Sequence, residues 1–236
     1  MTAATQRLRA LAAAKEPTTI LEVLERMRAI DAVLPPADGL AWFTKLYLRV
    51  TEAVHASLHP QAFRDPRFLA HLDVVFANLY FAALRGPAPK AWAPLLEARL
   101  RRRVAPVQFA LAGMNAHINR DLPVALVRTC EELRVELPDA AEQHHDFVTV
   151  NGLLAQTEAK VKRWFSTGFV GVVDEAFGKA DDRVAIWNVG RARDAAWVQA
   201  ETLWALRAVP ALQHRYLDAL DRTVGFAGRG LLVPLA

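Results

Sequence analysis

Residues 65–87 read DPRFLAHLDVVFANLYFAALRGP, and this stretch decides the fold class. Asp65 is a favourable N-cap residue and Pro66 suits the first helical position, so a helix is predicted to begin there. Apolar residues then recur every three or four positions, which is the spacing of one buried helical face. The tripeptide at 85–87 ends the helix, because glycine suits a C-terminal cap and proline cannot continue the helix.

The same three-to-four spacing continues on both sides of this stretch, without the strict alternation that is typical of strands. Thr19 and Glu22 have the spacing of a capping box, which predicts a helix running toward Leu34. A break or kink is expected near Pro123, and residues 225–230 are expected to form a glycine-rich loop. Further helices are predicted over 38–60, 89–103, 106–117, 124–133, 138–165, 181–204 and 212–224.

Length and composition agree with a helical, folded chain. The 236 residues can bury a large core within one domain, and the 53% hydrophobic content excludes disorder. We predict an all-α, single-domain bundle of roughly eight to ten helices that spans residues 1–236. Within it, residues 1–17 are a candidate for a loosely ordered N-terminal segment.

Several classes of location and partner are disfavoured by the sequence. The lone Cys130 cannot form an internal disulfide, and the N-terminus has no signal-peptide pattern. The longest uncharged stretch, 104–119, is shorter than the roughly 20 apolar residues of a membrane span. The net charge is +4, and no aromatic residues interleave with the arginine cluster at 99–103. We expect a cytoplasmic protein without a membrane span or nucleic-acid partner; the oligomeric state is left open.

A carboxylate interrupts the apolar stripe of the helix predicted from Asp65. Asp73 lies among Leu69, Leu72 and Phe76 on that stripe. An unpaired buried carboxylate is costly, so Asp73 is expected to have a partner. A salt bridge to an arginine, a helix cap and a metal ion are the alternatives.

A second polar pair occurs in the segment GMNAHINRDLP at 113–123. His117 and Asp121 are four residues apart and would share one face of a continuous helix, where the small Gly113 leaves room beside the imidazole. Imidazole and carboxylate together are common ligands for zinc, manganese or iron. Alternatively, Asp121 caps a helix beginning at Pro123, and His117 is a hydrogen-bonded core residue.

Two further groups complete the set of candidate residues. Near the start of a predicted helix stand three adjacent polar residues, His144, His145 and Asp146. They are either further metal ligands or part of the solvated surface. Asp194 and Glu201 fall between tryptophans on one predicted helical stripe, where carboxylates resist burial. The alternative for these two acids is ion pairing with Arg191 or Arg193.

Three segments carry a resemblance to a known family. The sequences LDVVFANLY at 72–80, GMNAHINRDLP at 113–123 and GFAGRG at 225–230 resemble a bacterial family catalogued only as a domain of unknown function. The likeness extends over most of the chain from about Asp38 onward. It implies a helical fold and no particular activity.

Two metal-hydrolase families share shorter patterns with this chain. Gly113, His117 and Asp121 have the spacing of a ligand segment in the helical zinc phospholipase C and P1-nuclease family, although the downstream Pro-x-His and His-x-x-x-Glu motifs of that family are absent. His117, the pair at 145–146 and Asp194 follow the ligand order of the HD phosphohydrolase superfamily. Either likeness implies a metal-activated water that attacks a phosphoester.

These patterns together favour a metal-dependent hydrolase that acts on a small-molecule substrate through a metal-bound water. The alternative is a non-metal helical binding protein, or a cofactor-free enzyme for a small hydrophobic molecule, with the six tryptophans lining its pocket. The predicted ligands of the divalent metal (zinc, manganese or iron) are His117, Asp121, His144, His145 and Asp146. The predicted catalytic groups are Asp73, Arg120, Asp194 and Glu201.

Overall fold

A computed structural model of the chain describes residues 3–57, 63–167 and 188–234. Ten α-helical segments occupy these ranges, and no strand occurs within them, so the all-α prediction is confirmed. The helix start predicted at 181–182 lies outside the described residues.

The second and fourth helices begin where local capping signals predict. The capping box of Thr19 and Glu22 is formed, and the Asp65 side chain accepts a hydrogen bond from the Phe68 amide at 3.0 Å. Gly86 ends the fourth helix with a φ of 78°, a conformation that favours glycine. Residues 3–13, within the N-terminal segment, form a helix with Leu8 buried. The helices are α1 (Ala3–Ala13), α2 (Ile20–Val33), α3 (Gly39–Ser57) and α4 (Pro66–Arg85).

The second half continues with six α-helices and two short 3₁₀ turns. The helix predicted over 89–103 forms only its central part, at 93–98. Asn188 caps the helix that carries Trp197 and Trp204, and its side chain accepts from the Arg191 amide. The helices are α5 (Ala93–Ala98), α6 (Pro106–Ala116), α7 (Leu122–Leu133), α8 (Ala141–Thr167), α9 (Val189–Ala205) and α10 (Pro210–Leu231). The 3₁₀ turns are Leu137–Asp139 and Leu206–Ala208.

A π-helical turn, His117–Asp121, joins α6 to α7 without interrupting the chain direction. Pro123 lies two residues after the end of this turn; proline has no amide hydrogen, and its ring crowds the carbonyl of the residue four positions earlier, Asn119. A wider turn relieves that crowding, so the break predicted near Pro123 takes the form of a π turn. Such turns occur frequently at functional sites.

The prediction of a loop at 225–230 is wrong, because these residues form the last turns of α10. A Cβ atom on Gly225 would lie 2.5 Å from the backbone oxygen of Lys90, and one on Gly228 would lie 3.3 Å from the Pro94 side chain. The glycines therefore allow α10 to approach the backbone at the start of α5. Close packing, and not turn formation, explains them here.

The π turn lies where the two largest apolar clusters meet. One cluster contains Phe43, Tyr80 and Trp92, and the other contains Ile118 and Leu122. The continuous rod of α6, π turn and α7 passes from the first cluster into the second. The imidazole of His117 is consequently placed where the two clusters meet.

Helix α4 is long and apolar enough to cross a membrane by length and composition alone. Of its apolar window, 61% is buried inside the protein. A core helix passes the same test, so the expected absence of a membrane span stays a prediction.

Candidate functional site

His117 and Asp121 form a buried pair across the π turn. The imidazole Nδ1 lies 3.1 Å from Asp121 Oδ2, and the exposed fractions of the two residues are 2% and 0%. Trp92 Nε1 donates to the same oxygen at 2.9 Å, and Arg120 Nη1 donates to Oδ1 at 2.9 Å. Both carboxylate oxygens therefore have protein donors, as an ionised buried carboxylate requires.

The hydrogen bond to Asp121 fixes the protonation of the imidazole. An ionised carboxylate can only accept, so Nδ1 carries the proton and Nε2 carries the free lone pair. Nε2 is buried and has no hydrogen-bond partner among the described residues. Burial lowers the pKa of His117 below its ordinary value, and Asp121 partly opposes this effect. The site thus holds a neutral imidazole with an unpaired acceptor nitrogen.

Aromatic rings surround this imidazole. The Phe76 ring is stacked on it with centroids 3.6 Å apart, and the Tyr47 ring lies edge-on at 4.5 Å. The ring centroids of Phe43 and Trp92 lie 5.8 and 5.9 Å from the centroid of the imidazole. Phe43 and Trp92 are fully buried, whereas Tyr47 and Phe76 are partly exposed. Tyr47 and Phe76 are therefore the members of this group of rings that reach solvent.

The space expected beside Gly113 is occupied. A Cβ atom on Gly113 would lie 2.3 Å from the Phe43 ring, so the glycine makes room for that ring and not for a ligand. This corrects the expectation from the sequence that Gly113 opens space next to His117. The ring also helps to seal the inner side of the imidazole.

Asp73 lies on the partly exposed side, one turn before Phe76 on α4. Burial raises the pKa of Asp73 to about 6, and the positive charge of Arg193 partly opposes the shift. Within the described ranges, no hydrogen bond joins Asp73 to another group, and no cation lies within the 4.0 Å of an ion pair. The salt bridge considered as one alternative for Asp73 is therefore not formed with Arg193, which acts from a longer distance.

Tyr47 links Asp73 to the buried pair. Burial raises the pKa of the Tyr47 phenol well above its ordinary value, and the charges of Asp73 and Asp121 raise it further. The phenol is consequently protonated at physiological pH. The charges of both carboxylates therefore act on the Tyr47 phenol.

The adjacent residues at 144–146 have other surroundings. The Asp146 side chain is fully buried and accepts from the backbone amides of Arg64 at 3.0 Å and Asp65 at 2.6 Å. It therefore braces the start of α4. His145 is largely exposed and lies 3.3 Å from Asp146, while the exposed His144 packs against the Trp197 ring at 4.5 Å.

Asp194, Glu201 and Arg120 also bind other partners. Asp194 is exposed and accepts from Asn151 at 3.3 Å; Glu201 is exposed and accepts from the Trp197 indole at 3.1 Å. Arg120 donates to Asp121, and its Nε lies 3.7 Å from Asp221. Arg120 thus stabilises the buried carboxylate that positions His117.

No group of three or more histidine, cysteine, aspartate or glutamate side chains in the described part of the chain is arranged to hold a metal ion. The structure brings His117 and Asp121 into contact, and the charge of Asp73 acts on the neighbouring Tyr47 phenol. Asp146 contacts the start of α4 instead, and His144 contacts Trp197 on α9. The metal ligand set stays a prediction.

Two residues of this site were not identified from the sequence. Tyr47 follows Phe43 by four residues on a predicted helix, so its place on the inner face could have been recognised from spacing. Trp92 is different, because its indole reaches Asp121 across 29 residues of sequence. No local pattern indicates that contact.

Comparison with known proteins adds a family without an assigned activity. A family model described as a family of unknown function (DUF5995) matches residues 20–234, a range that includes the whole site. No curated protein and no solved structure matches the chain. Function must therefore be argued from the chemistry of the site.

Proposed function

The chain belongs to a family of unknown function, and we propose that it is a cofactor-free enzyme in which His117 acts as a general base on a small, largely apolar molecule. The observation that carries this proposal is the unpaired, buried Nε2 of an imidazole whose other nitrogen is held by Asp121. Buried polar atoms in native proteins almost always have a partner. A substrate group that donates a proton would supply the missing partner.

The Asp121–His117 pair suits proton transfer for three reasons. The imidazole is neutral, since burial lowers its pKa, and so Nε2 can accept a proton at neutral pH. Asp121 would stabilise the imidazolium that forms, in the way the aspartate of a catalytic triad does. Trp92 and Arg120 hold the Asp121 carboxylate in place through two hydrogen bonds.

The surrounding groups support an apolar substrate. Phe76 and Tyr47 form the partly exposed side of the site, and aromatic rings provide a large apolar contact area. The Tyr47 ring lies next to the imidazole, and its protonated phenol can donate a hydrogen bond. It would steady the negative charge that develops when the substrate loses its proton.

Reaction with diethyl pyrocarbonate tests the proposal, because this small reagent acylates unprotonated imidazole nitrogen. In the folded protein we expect acylation of His117, located by peptide mass spectrometry, with exposed His144 as an internal reference. The rate should fall about tenfold or more in Asp121→Asn, which no longer fixes the tautomer. An unreactive His117 in the folded wild type, acylated only after denaturation, would rule out an accessible base.

Metal-dependent hydrolysis is the second candidate function, and the same Nε2 atom favours it. An unpaired imidazole nitrogen is a ligand for zinc, manganese or iron. Asp121, its predicted partner, already accepts from three donors, so Asp73 is the remaining carboxylate on this side. The predicted metal-bound water would then be the nucleophile.

Metal analysis separates the two candidates. A metal enzyme should contain near-stoichiometric metal when purified without chelator and should lose it in His117→Ala. Its acylation by diethyl pyrocarbonate should accelerate after treatment with EDTA, because the metal blocks Nε2. For the cofactor-free enzyme we expect metal-free protein and an acylation rate that neither EDTA nor added zinc changes.

A further inference from the structure

The carboxylate of Asp73 has a charge without a contacting counterion. It is partly buried on α4, and the described residues provide no hydrogen bond or ion pair to it. The cation whose field reaches it is Arg193. Such a carboxylate can accept a hydrogen bond from a donor that the protein itself does not supply.

Arg193 is held by other partners. Its Nε donates to Asn151 Oδ1 at 2.6 Å, and its Nη2 donates to the Phe147 carbonyl at 3.0 Å. Its guanidinium carbon also lies 4.0 Å from the centre of the Phe147 ring. These contacts hold the guanidinium beyond the distance of an ion pair with Asp73. The negative charge of the carboxylate is therefore only partly balanced by Arg193.

Aromatic rings lie next to this carboxylate. Phe76 follows Asp73 by one helical turn, which places both side chains on one face of α4. Tyr47 lies close enough for the Asp73 charge to act on its phenol, and its ring centroid is 6.0 Å from that of Phe76. A carboxylate bordered by aromatic rings is the arrangement that binds organic cations.

We propose that Asp73, Tyr47 and Phe76 bind a protonated amine on the substrate, so that the enzyme acts on small apolar molecules carrying an ammonium group. This inference rests on the proposed function, since it assigns the substrate class of the same site. The unpaired groups agree with it: the Asp73 carboxylate and His117 Nε2 are both acceptors, and an amine-bearing substrate supplies donors. Asp73 contacts the ammonium, and His117 accepts the proton of a second group.

Three probes of nearly equal size test the charge preference: 2-phenylethylamine, 2-phenylethanol and phenylacetate. Binding would be followed by NMR titration of the folded protein at about pH 8, where Asp73 is ionised. We expect the amine to bind about tenfold more tightly than the alcohol, and phenylacetate to bind most weakly. Tightest binding of phenylacetate would overturn the proposal and assign the site to Arg193.

Two variants test whether Asp73 causes the preference for the amine over the alcohol. Asp73→Asn should reduce the difference between amine and alcohol to about twofold or less, whereas Asp194→Asn, at an exposed carboxylate on α9, should leave it unchanged. An amine preference that survives in Asp73→Asn would contradict the assignment. Because the Asn variant keeps the size of the side chain, its folded state can be checked by the same NMR spectra.

The pH dependence provides an independent measurement. The amine preference should disappear as the pH falls from about 8 to about 5, because Asp73 becomes protonated through its pKa of about 6. Among the neighbouring groups, Arg193 stays protonated below its pKa of about 10, and burial keeps the Tyr47 phenol protonated. The same measurement in His117→Gln removes the remaining neighbour that could gain a charge, because burial leaves the pKa of His117 below its ordinary value. A preference that stays constant over this range would overturn the role of Asp73.

The two proposals fail separately. An amine preference with an unreactive His117 would leave the ligand class intact and remove the general base. A reactive His117 without an amine preference would do the reverse. His117→Gln should retain the amine preference, because the proposed contact to the ammonium belongs to Asp73.

Discussion

The ring of Phe76 lies flat on the imidazole of His117, with centroids 3.6 Å apart and planes inclined by 5°. This stack covers one face of the base and leaves the edge that carries Nε2 to other neighbours. It also joins α4 to the π turn, since Phe76 belongs to the first and His117 to the second. The helix that shields the base therefore also positions Asp73, one turn earlier.

Removing the stacked ring should change the titration of His117. In Phe76→Ala, water reaches the imidazole, so the pKa of His117 should rise toward its ordinary value of about 6.5. The measurement is an NMR titration of the imidazole resonances. Phe76→Leu keeps most of the apolar cover and should retain the lowered pKa. An unchanged pKa in Phe76→Ala would show that other neighbours cause the desolvation.

The buried carboxylate of Asp121 should contribute strongly to stability. Asp121→Ala leaves the Trp92 indole, the His117 imidazole and the Arg120 guanidinium without their acceptor, at a cost of about 3–5 kcal/mol. Urea unfolding followed by circular dichroism would measure the loss. Asp194→Ala, at an exposed carboxylate, should change the free energy of unfolding by less than about 0.5 kcal/mol. Equal effects of the two variants would contradict the placement of Asp121.

Asp73 should lower stability at alkaline pH. Because its folded-state pKa is raised to about 6, the folded state binds its proton more tightly than the unfolded chain does. The favourable contribution of protonated Asp73 to the free energy of unfolding is complete below about pH 4 and is lost as the pH rises through about 6. The free energy of unfolding of Asp73→Asn should therefore equal that of the wild type at about pH 4 and exceed it by about 1–2 kcal/mol at about pH 8. This gain is smaller than the whole pKa shift would give, because the carboxylate is partly exposed.

Urea unfolding at several pH values gives this difference directly. A variant that is less stable than the wild type at about pH 8 would show that Asp73 makes a stabilising ion pair after all. The expected gain in stability is typical of a residue retained for function and not for folding.

Two glycines of α10 provide a matched test of its packing. Gly225→Ala places a methyl group against the Lys90 backbone and should cost about 1–3 kcal/mol. Gly230→Ala has open space around it and should instead stabilise the helix by about 0.5–1 kcal/mol. Thermal or urea unfolding of the two variants would compare them. Stabilisation by both substitutions would mean that α10 does not pack closely on α5.

Local signals in the sequence determined where several helices begin and end. The capping box of Thr19 and the Asp65–Pro66 start predicted α2 and α4 correctly, because each cap satisfies backbone amides within a few residues of itself. The spacing of His117 and Asp121 likewise predicted their contact, which needs one turn of helix. These features depend on neighbours in sequence.

The tertiary structure decided what those residues contact. The glycines at 225 and 228 indicated a loop from the sequence, yet the Lys90 backbone, more than a hundred residues earlier, makes them a helix-packing surface. In the same way, Trp92 and Arg120 complete the hydrogen bonds of Asp121, and Phe76 and Tyr47 enclose His117. The surroundings of a side chain are set by helices that meet only after folding. The sequence therefore identified the pair of His117 and Asp121, whereas packing set the protonation of the imidazole and left its Nε2 unpaired.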